Sequence, residues 1–185
     1  DVAKMRIATW MCPSETKDRE RVTANITYYP NNYSFAQGTW FIYDPISGQI
    51  GDGAFAPNFR AKPGDITDGT SNTMMLMEDV GRPLRFRMGA PVSTSVSSGA
   101  GWADRDNSFS VAGFDKANVS KSPMYGTCAV NCSNNNEAYS FHTGGVSTVF
   151  ADGSVHFVNQ NISILNFASL VTLDGGEIVS SSDYN

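Results

Sequence analysis

A chain of 185 residues is long enough for one domain with its own core and short for two. Its formal net charge of −5 argues against nucleic acids and anionic membranes as partners, because both require clustered positive charge. Hydrophobic residues make up 41% and charged residues 17%, so the surface must rely on Ser, Thr, Asn and Gly. This composition favours an extracytoplasmic β-rich protein over a cytosolic helical enzyme.

The predicted elements are mostly short strands separated by long loops. Residues 1–15 lead into the domain and begin without a Met, as a processed or truncated product would. Strands are predicted at 22–29, 39–43 and 73–77, and loops at 44–63 and 89–101. Near the end, Ser163 is a predicted N-cap for a short helix. No run of about 18 apolar residues is present, so no membrane span is expected in the chain.

The clearest local pattern is a β-hairpin around Asp152 and Gly153. These residues separate two β-rich runs, 146–151 and 154–158, and Asp-Gly in such a setting is a strong signal for a two-residue type I′ turn. With Asp152 and Gly153 as the two loop residues, period-two alternation gives a definite prediction for the faces. The side chains expected to share one face are Phe150, Val155 and Phe157.

The chain has three cysteines, Cys12, Cys128 and Cys132. Cys128 and Cys132 are close enough in sequence to close a small disulfide loop, which indicates an oxidising compartment. Free thiols are an alternative, and so is zinc, although this pair has no second pair of ligands nearby. Cys12 is expected either to be buried as a small hydrophobic residue or to pair outside this chain.

No motif in the sequence requires a cofactor, but two clusters of oxygen ligands make calcium a candidate. Calcium takes six to eight oxygen ligands, often from loops. Asx-turns and the capping of loop amides are the alternative role for such residues. The candidate ligands are Asp65, Asp68, Asn72, Asp104, Asp106 and Asn107.

His142 is the candidate for acid–base chemistry, with Asp152 and Glu78 as carboxylate partners. A histidine oriented by a carboxylate can act as a general base or as a metal ligand. The alternative is a buried His142 that is hydrogen-bonded to backbone and ties the preceding loop to the sheet. Nucleophilic catalysis finds no support, because the Gly-x-Ser-x-Gly elbow is absent.

Aromatic side chains give a further candidate site. Trp40, Tyr43 and Trp102 can line a surface on which sugar rings stack. The alternative is that these rings belong to the core, as most aromatic residues of β-rich domains do.

Several segments together resemble one known family. They are Cys12-Pro-Ser-Glu15, the run from Asp65 to Glu78, Gly101-Trp-Ala-Asp104, the run from Asn135 to His142, and His142 followed by nine residues and then Asp152-Gly153. In these segments the chain resembles the C-terminal domain of the planctomycete proteins known as DUF1559, or solute-binding protein family 10. The resemblance implies one ectodomain over 1–185, with a signature hairpin at 140–158 that includes His142, Asp152 and Gly153.

The resemblance also implies an architecture. Family members combine an N-terminal prepilin helix, which is absent from this sequence, with a β-rich globular domain. The expected fold is α+β: an antiparallel sheet of the pilin or pseudopilin type, with long loops and one or two short helices.

The leading functional hypothesis is therefore a non-enzymatic, extracytoplasmic, pseudopilin-like domain located at the cell surface, in the periplasm or secreted. Its expected partners are other pilin-like subunits or cell-surface components. A carbohydrate- or solute-binding module, with glycans as ligands, is the alternative. A hydrolase that uses His142 comes third.

Overall fold

The computed structural model describes residues 2–15, 21–23, 26–39, 53–55, 61–97, 99–119, 125–135 and 137–185. Within these ranges the chain forms nine strands, one α-helix and several short 3₁₀ turns. The strands are β1 Arg21–Thr23, β2 Ile26–Tyr28, β3 Tyr33–Thr39, β4 Met74–Glu78, β5 Leu84–Arg87, β6 Ala90–Val96, β7 Ser108–Val111, β8 Gly145–Phe150 and β9 Val155–Asn159. The helix is α1, Ile164–Ser169.

Five strands form the central sheet, in the order β7-β3-β4-β8-β9. Three neighbouring pairs are antiparallel, and β3 with β7 is parallel. The predicted β-rich fold with a short helix is confirmed. The prediction of an antiparallel sheet is corrected to a mixed one, because a long connection brings β7 in parallel beside β3. The strands β1–β2 and β5–β6 form two separate antiparallel pairs. No helix in the described part of the chain has the length and apolar character needed to cross a membrane.

The core lies between the central sheet and the C-terminal segment. β4 is the middle strand, and the side chains of Met74 and Met77 are fully buried. Helix α1 begins after Ser163, whose hydroxyl oxygen accepts a hydrogen bond from Asn166 N, as the sequence predicts. The buried cluster includes Ala36, Met74, Met77, Phe109, Val146, Phe150, Val158, Phe167 and Leu170.

The predicted hairpin is present as β8 and β9, but its register differs by one residue. Thr148 lies opposite His156, and Phe150 N donates to Ser154 O at 2.9 Å, so the loop has three residues, 151–153. Gly153 has φ of +85°, as expected for a turn that ends in a left-handed residue. The prediction that Phe150, Val155 and Phe157 share a face is therefore wrong. Phe150 is buried, whereas Val155 and Phe157 are exposed.

Two other predictions are changed by the structure. The loop predicted at 89–101 is wrong, because residues 90–96 form β6 and pair with β5. The strand predicted at 22–29 is instead the antiparallel pair β1–β2. The strand predicted at 39–43 lies, apart from Thr39, outside the described residues. The strand predicted at 73–77 is confirmed as β4.

Candidate functional site

Three segments that are far apart in sequence meet at Cys12, Glu78 and His142. Cys12 lies in the N-terminal segment, Glu78 is the last residue of β4, and His142 precedes β8. Cys12 and Glu78 are buried, while the His142 side chain is 37% exposed. Because β4 lies next to β8, the end of β4 carries Glu78 to the point where the chain enters β8. The site therefore has two buried members and one that reaches solvent.

Each of the three side chains contributes one polar atom, and the three atoms lie close to one another. Cys12 Sγ lies 3.1 Å from Glu78 Oε1 and 3.4 Å from His142 Nε2. His142 Nε2 lies 3.2 Å from Glu78 Oε1. In the described part of the chain, this is the group of His, Cys, Asp or Glu residues whose ligand atoms all lie within 4.8 Å of one another. Sulfur, nitrogen and carboxylate oxygen together form a triangle of metal-ligand type.

Hydrogen bonds to other atoms of Glu78 and Cys12 hold the triangle in place. The second carboxylate oxygen of Glu78 accepts the backbone N–H of Ser147 at 2.7 Å. The backbone N–H of Cys12 donates to Asn32 Oδ1 at 2.7 Å, and the Cys12 thiol also contacts Ser14 Oγ at 3.0 Å. The carboxylate is therefore oriented by β8, and the cysteine by the loop before β3.

A similar contact orients the histidine. The backbone N–H of His142 donates to Ser140 Oγ at 3.1 Å, and the same hydroxyl donates to Gly145 O at 2.6 Å. The segment before β8 is thus tied to the start of that strand. His142 is connected to the sheet through its ring, which contacts Glu78 of β4, and through its backbone by way of the Ser140 hydroxyl, which bonds to Gly145 of β8.

Burial is the main electrostatic influence on the site. It raises the pKa of the Cys12 thiol, and the hydrogen bond and charge of Glu78 act in the same direction, against the lowering effect of Ser14. Burial, with the nearby Cys12 and Glu78, also raises the pKa of Tyr33 to about 12. The thiol is therefore held in its protonated form at neutral pH, in contrast to a nucleophilic cysteine, which needs a depressed pKa.

Asp152 is not part of this arrangement. Its Oδ1 accepts hydrogen bonds from Ser154 N at 2.8 Å and Ser154 Oγ at 2.6 Å, and these bonds lower the pKa of the carboxyl. Asp152 and Gly153 both lie exposed in the hairpin loop. The structure therefore brings together two of the three candidate acid–base residues, Glu78 and His142. The third, Asp152, stays in the hairpin loop.

The first predicted oxygen cluster is engaged by backbone amides. Asp65 Oδ2 accepts Lys62 N at 2.7 Å, where it caps a short 3₁₀ turn. The two oxygens of Asp68 accept Gly176 N and Gly175 N at 2.8 and 3.0 Å. Asn72 donates through Nδ2 to Asp68 O at 3.0 Å. The contacts of Asp65 and Asp68 are the amide-capping role that the sequence leaves as the alternative to calcium, whereas Asn72 donates to a backbone carbonyl.

The second predicted oxygen cluster lies in the turn before β7. Asp104 Oδ1 accepts Asp106 N at 3.1 Å, and Asn107 Oδ1 accepts the Ser34 hydroxyl at 3.2 Å. Asp106 is exposed and lies 3.4 Å from the guanidinium of Arg105. The three side chains thus bond to different partners.

The remaining candidates have separate positions. Cys128 and Cys132 form a disulfide, as the sequence predicts. Trp102 is half-buried, and its indole N–H donates to Met5 O at 3.0 Å. Trp40 and Tyr43 lie outside the described residues.

Sequence reasoning links His142 with Glu78 but does not include Cys12. The contacts of Cys12 span 66 residues to Glu78 and 130 residues to His142, so no local spacing relates them. One signal does connect the three residues, because each lies in a segment that carries the family resemblance.

A comparison with protein-family models assigns the chain to a family. The family model SBP_bac_10, described as a protein of unknown function (DUF1559), matches residues 1–164. The chain belongs to the SBP_bac_10 family. No curated protein and no solved structure matches the chain. All three residues of the site fall within the matched range.

Proposed function

We propose that this SBP_bac_10 chain is a non-enzymatic, extracytoplasmic domain of a pseudopilin-like surface assembly. Its partners would be other pilin-like subunits or cell-surface components. The observation that carries the proposal is the use of Cys12, Glu78 and His142 to join three distant segments of the fold. Two of the three side chains are buried, and their contacts hold the N-terminal segment, the end of β4 and the segment before β8 together, as a subunit of an assembly would require.

The junction fixes the N-terminal segment against the sheet. Asn32 N donates to Trp10 O at 2.9 Å, beside the bond from Cys12 N to the Asn32 side chain. Further along the segment, Glu15 Oε2 accepts Gly81 N at 2.9 Å. The family resemblance implies an N-terminal prepilin helix ahead of the globular domain, and this segment would connect the two. Subunits held together by such helices need a rigid connection at that position.

The disulfide supports the proposed location. Cys128–Cys132 closes a loop within the chain, and disulfides persist in oxidising compartments such as the periplasm and cell surface.

The site geometry favours this role over the hydrolase hypothesis. A catalytic cysteine or serine needs a histidine that faces the nucleophile with one nitrogen and a carboxylate with the other. Here Cys12 Sγ and Glu78 Oε1 both approach the same nitrogen of His142, Nε2. Burial also raises the pKa of the Cys12 thiol, which opposes nucleophilic attack.

The location and partners can be tested in intact cells of the source organism. A membrane-impermeant, amine-reactive cross-linker would meet the exposed amines of Lys62 and Lys116. We expect the parent protein to be labelled and to form cross-links to itself or to other surface proteins. Labelling that requires lysis of the cells would overturn the proposed location.

The alternative functions are separated by experiments on the purified chain. A thermal-shift screen against mono- and oligosaccharides is expected to give no shift, and a sugar-specific shift would favour the binding module. Hydrolysis of ester or glycoside substrates by the wild type, lost in a folded His142→Ala variant, would favour the hydrolase and contradict a non-enzymatic role.

A further inference from the structure

We infer that Cys12, Glu78 and His142 form a binding site for Zn²⁺, with a fourth coordination position open to solvent or to a partner's ligand. The inference goes beyond the proposed function and does not depend on it. Cys Sγ, His nitrogen and carboxylate oxygen are the three atom types that proteins use for zinc. Each appears once in this cluster.

The geometry of the triangle is close to that of a tetrahedral site. Zinc bonds of about 2.3 Å to sulfur and about 2.0–2.2 Å to nitrogen or oxygen place tetrahedral ligands about 3.3–3.6 Å apart. The observed separations are 3.1 Å for Cys12 Sγ to Glu78 Oε1, 3.4 Å for Cys12 Sγ to His142 Nε2, and 3.2 Å for His142 Nε2 to Glu78 Oε1. A small opening of the triangle admits the ion.

Hydrogen bonding alone does not account for all three contacts. If each side of the triangle had its own proton, each of the three atoms would donate along one side and accept along the next. The imidazole nitrogen His142 Nε2 is either a donor or an acceptor, never both. Glu78 Oε1 can accept from both Cys12 Sγ and His142 Nε2, which leaves the 3.4 Å contact between sulfur and nitrogen without a proton of its own. A cation at the centre satisfies all three atoms at once.

The surroundings resemble the outer shell of a metal site. Glu78 Oε2 is held by Ser147 N, which leaves Oε1 directed at the cluster. The backbone of Cys12 is held by Asn32 and that of His142 by Ser140. Such outer contacts orient metal ligands and are as much a part of a site as the ligands themselves. The 37% exposure of the His142 side chain gives the ion a route from solvent.

The chemistry of the donors selects among metals. Thiolate and imidazole favour zinc and similar ions, whereas calcium and magnesium prefer all-oxygen sites. On binding, the Cys12 thiol proton and any proton on His142 Nε2 leave to solvent, and the sulfur and nitrogen lone pairs bind the ion.

Calorimetric titration of the chelator-treated, dialysed chain with ZnCl₂ tests the inference. We expect one zinc per chain and a higher melting temperature. His142→Ala and Cys12→Ser should weaken binding by more than the roughly 10–100-fold that loss of an outer-shell partner causes. His156→Ala is the matched control, because the His156 ring contacts Ser154 and belongs to the hairpin. This variant should bind zinc with the same affinity as the wild type. Titration with CaCl₂ should show no binding heat and no change in melting temperature.

A spectroscopic measurement keeps the inference testable if the variants do not fold. Co²⁺ bound to the wild type should show a thiolate-to-metal charge-transfer band. Cys12 is its only possible source, since the other two of the three cysteines form the disulfide. Absence of this band, absence of zinc binding, or zinc affinity unchanged in a folded Cys12→Ser variant would overturn the inference. Because these measurements use the purified chain, a failure here is distinct from a failure of the cellular cross-linking experiment.

Discussion

Replacing Arg82 with Ala removes a cation from the interior of the domain. Arg82 is 2% exposed and forms an ion pair with the buried carboxylate of Asp79. Its Nε donates to Asn134 O at 2.9 Å, Nη2 donates to Asn135 O at 3.1 Å, and Nη1 donates to Gly99 O at 3.3 Å. The guanidinium thus connects three segments that follow the end of β4.

The size of the stability loss depends on the buried Asp79 carboxylate that Arg82→Ala leaves without its cation. Burial raises the pKa of Asp79 to about 7, even though Arg82 lowers it, so the carboxylate is costly to keep in its position without a cation. Removing one partner of a buried pair costs about 3–5 kcal/mol. Since the total free energy of unfolding of a domain is about 5–15 kcal/mol, we expect Arg82→Ala to remove a large share of it. The free energy of unfolding of Arg82→Lys should lie between those of the wild type and Arg82→Ala, because lysine keeps the charge and loses the planar guanidinium fork.

Urea denaturation followed by circular dichroism and tryptophan fluorescence measures this loss, with the free energy of unfolding obtained by linear extrapolation. The matched control is Arg105→Ala, because the Arg105 side chain is 94% exposed. The control should change the free energy of unfolding by no more than about 0.5 kcal/mol. A loss of less than about 1 kcal/mol in Arg82→Ala, the scale of a surface ion pair, would refute the reasoning.

Three further predictions concern the rest of the fold. Burial raises the pKa of Glu137 in the folded state well above its ordinary value. At pH values between the ordinary and the raised pKa, the unfolded state has released this proton and the folded state still binds it, so stability falls as pH rises through that range. Melting temperatures across pH should fall less steeply in Glu137→Gln, and equal slopes would contradict this. Gly153→Ala should cost about 1 kcal/mol, because φ is +85° while the new Cβ meets nothing within 4 Å. Gly64→Ala, which also meets nothing within 4 Å and has no left-handed φ, is the control and should be neutral or slightly stabilising in denaturant titrations. Reducing Cys128–Cys132, whose sequence separation is 4, should lower the free energy of unfolding by about 2 kcal/mol; an unchanged urea midpoint would count against this estimate.

Local patterns predict the hairpin but not its register. Asp152-Gly153 between β-rich runs indicates a turn because the turn needs a residue with positive φ, which Gly153 provides. Two-residue and three-residue loops both satisfy that need, so the local sequence leaves the loop length open. A one-residue change reverses the face of every side chain. The register observed here buries Phe150 and Val158 in the core.

The strand β6 illustrates a second limit of the sequence. It lies in a segment, 89–101, whose Ser- and Gly-rich composition is typical of a loop, and its partner β5 contributes the apolar contact. Phe86 of β5 packs against Tyr139 and Phe141, with ring centroids 6.0 and 5.2 Å apart. The pair β5–β6 is therefore stabilised by residues that lie more than fifty positions after Phe86 in the chain.

By itself the sequence determined the β-rich class, the hairpin turn and the helix cap at Ser163, and it favoured the Cys128–Cys132 disulfide over free thiols, because each depends on residues a few positions apart. The site at Cys12, Glu78 and His142 depends on contacts that span 66 and 130 residues. Such contacts form only when β4 and β8 pair and the N-terminal segment packs beside them. Tertiary structure alone therefore decided that a thiol, a carboxylate and an imidazole share one point.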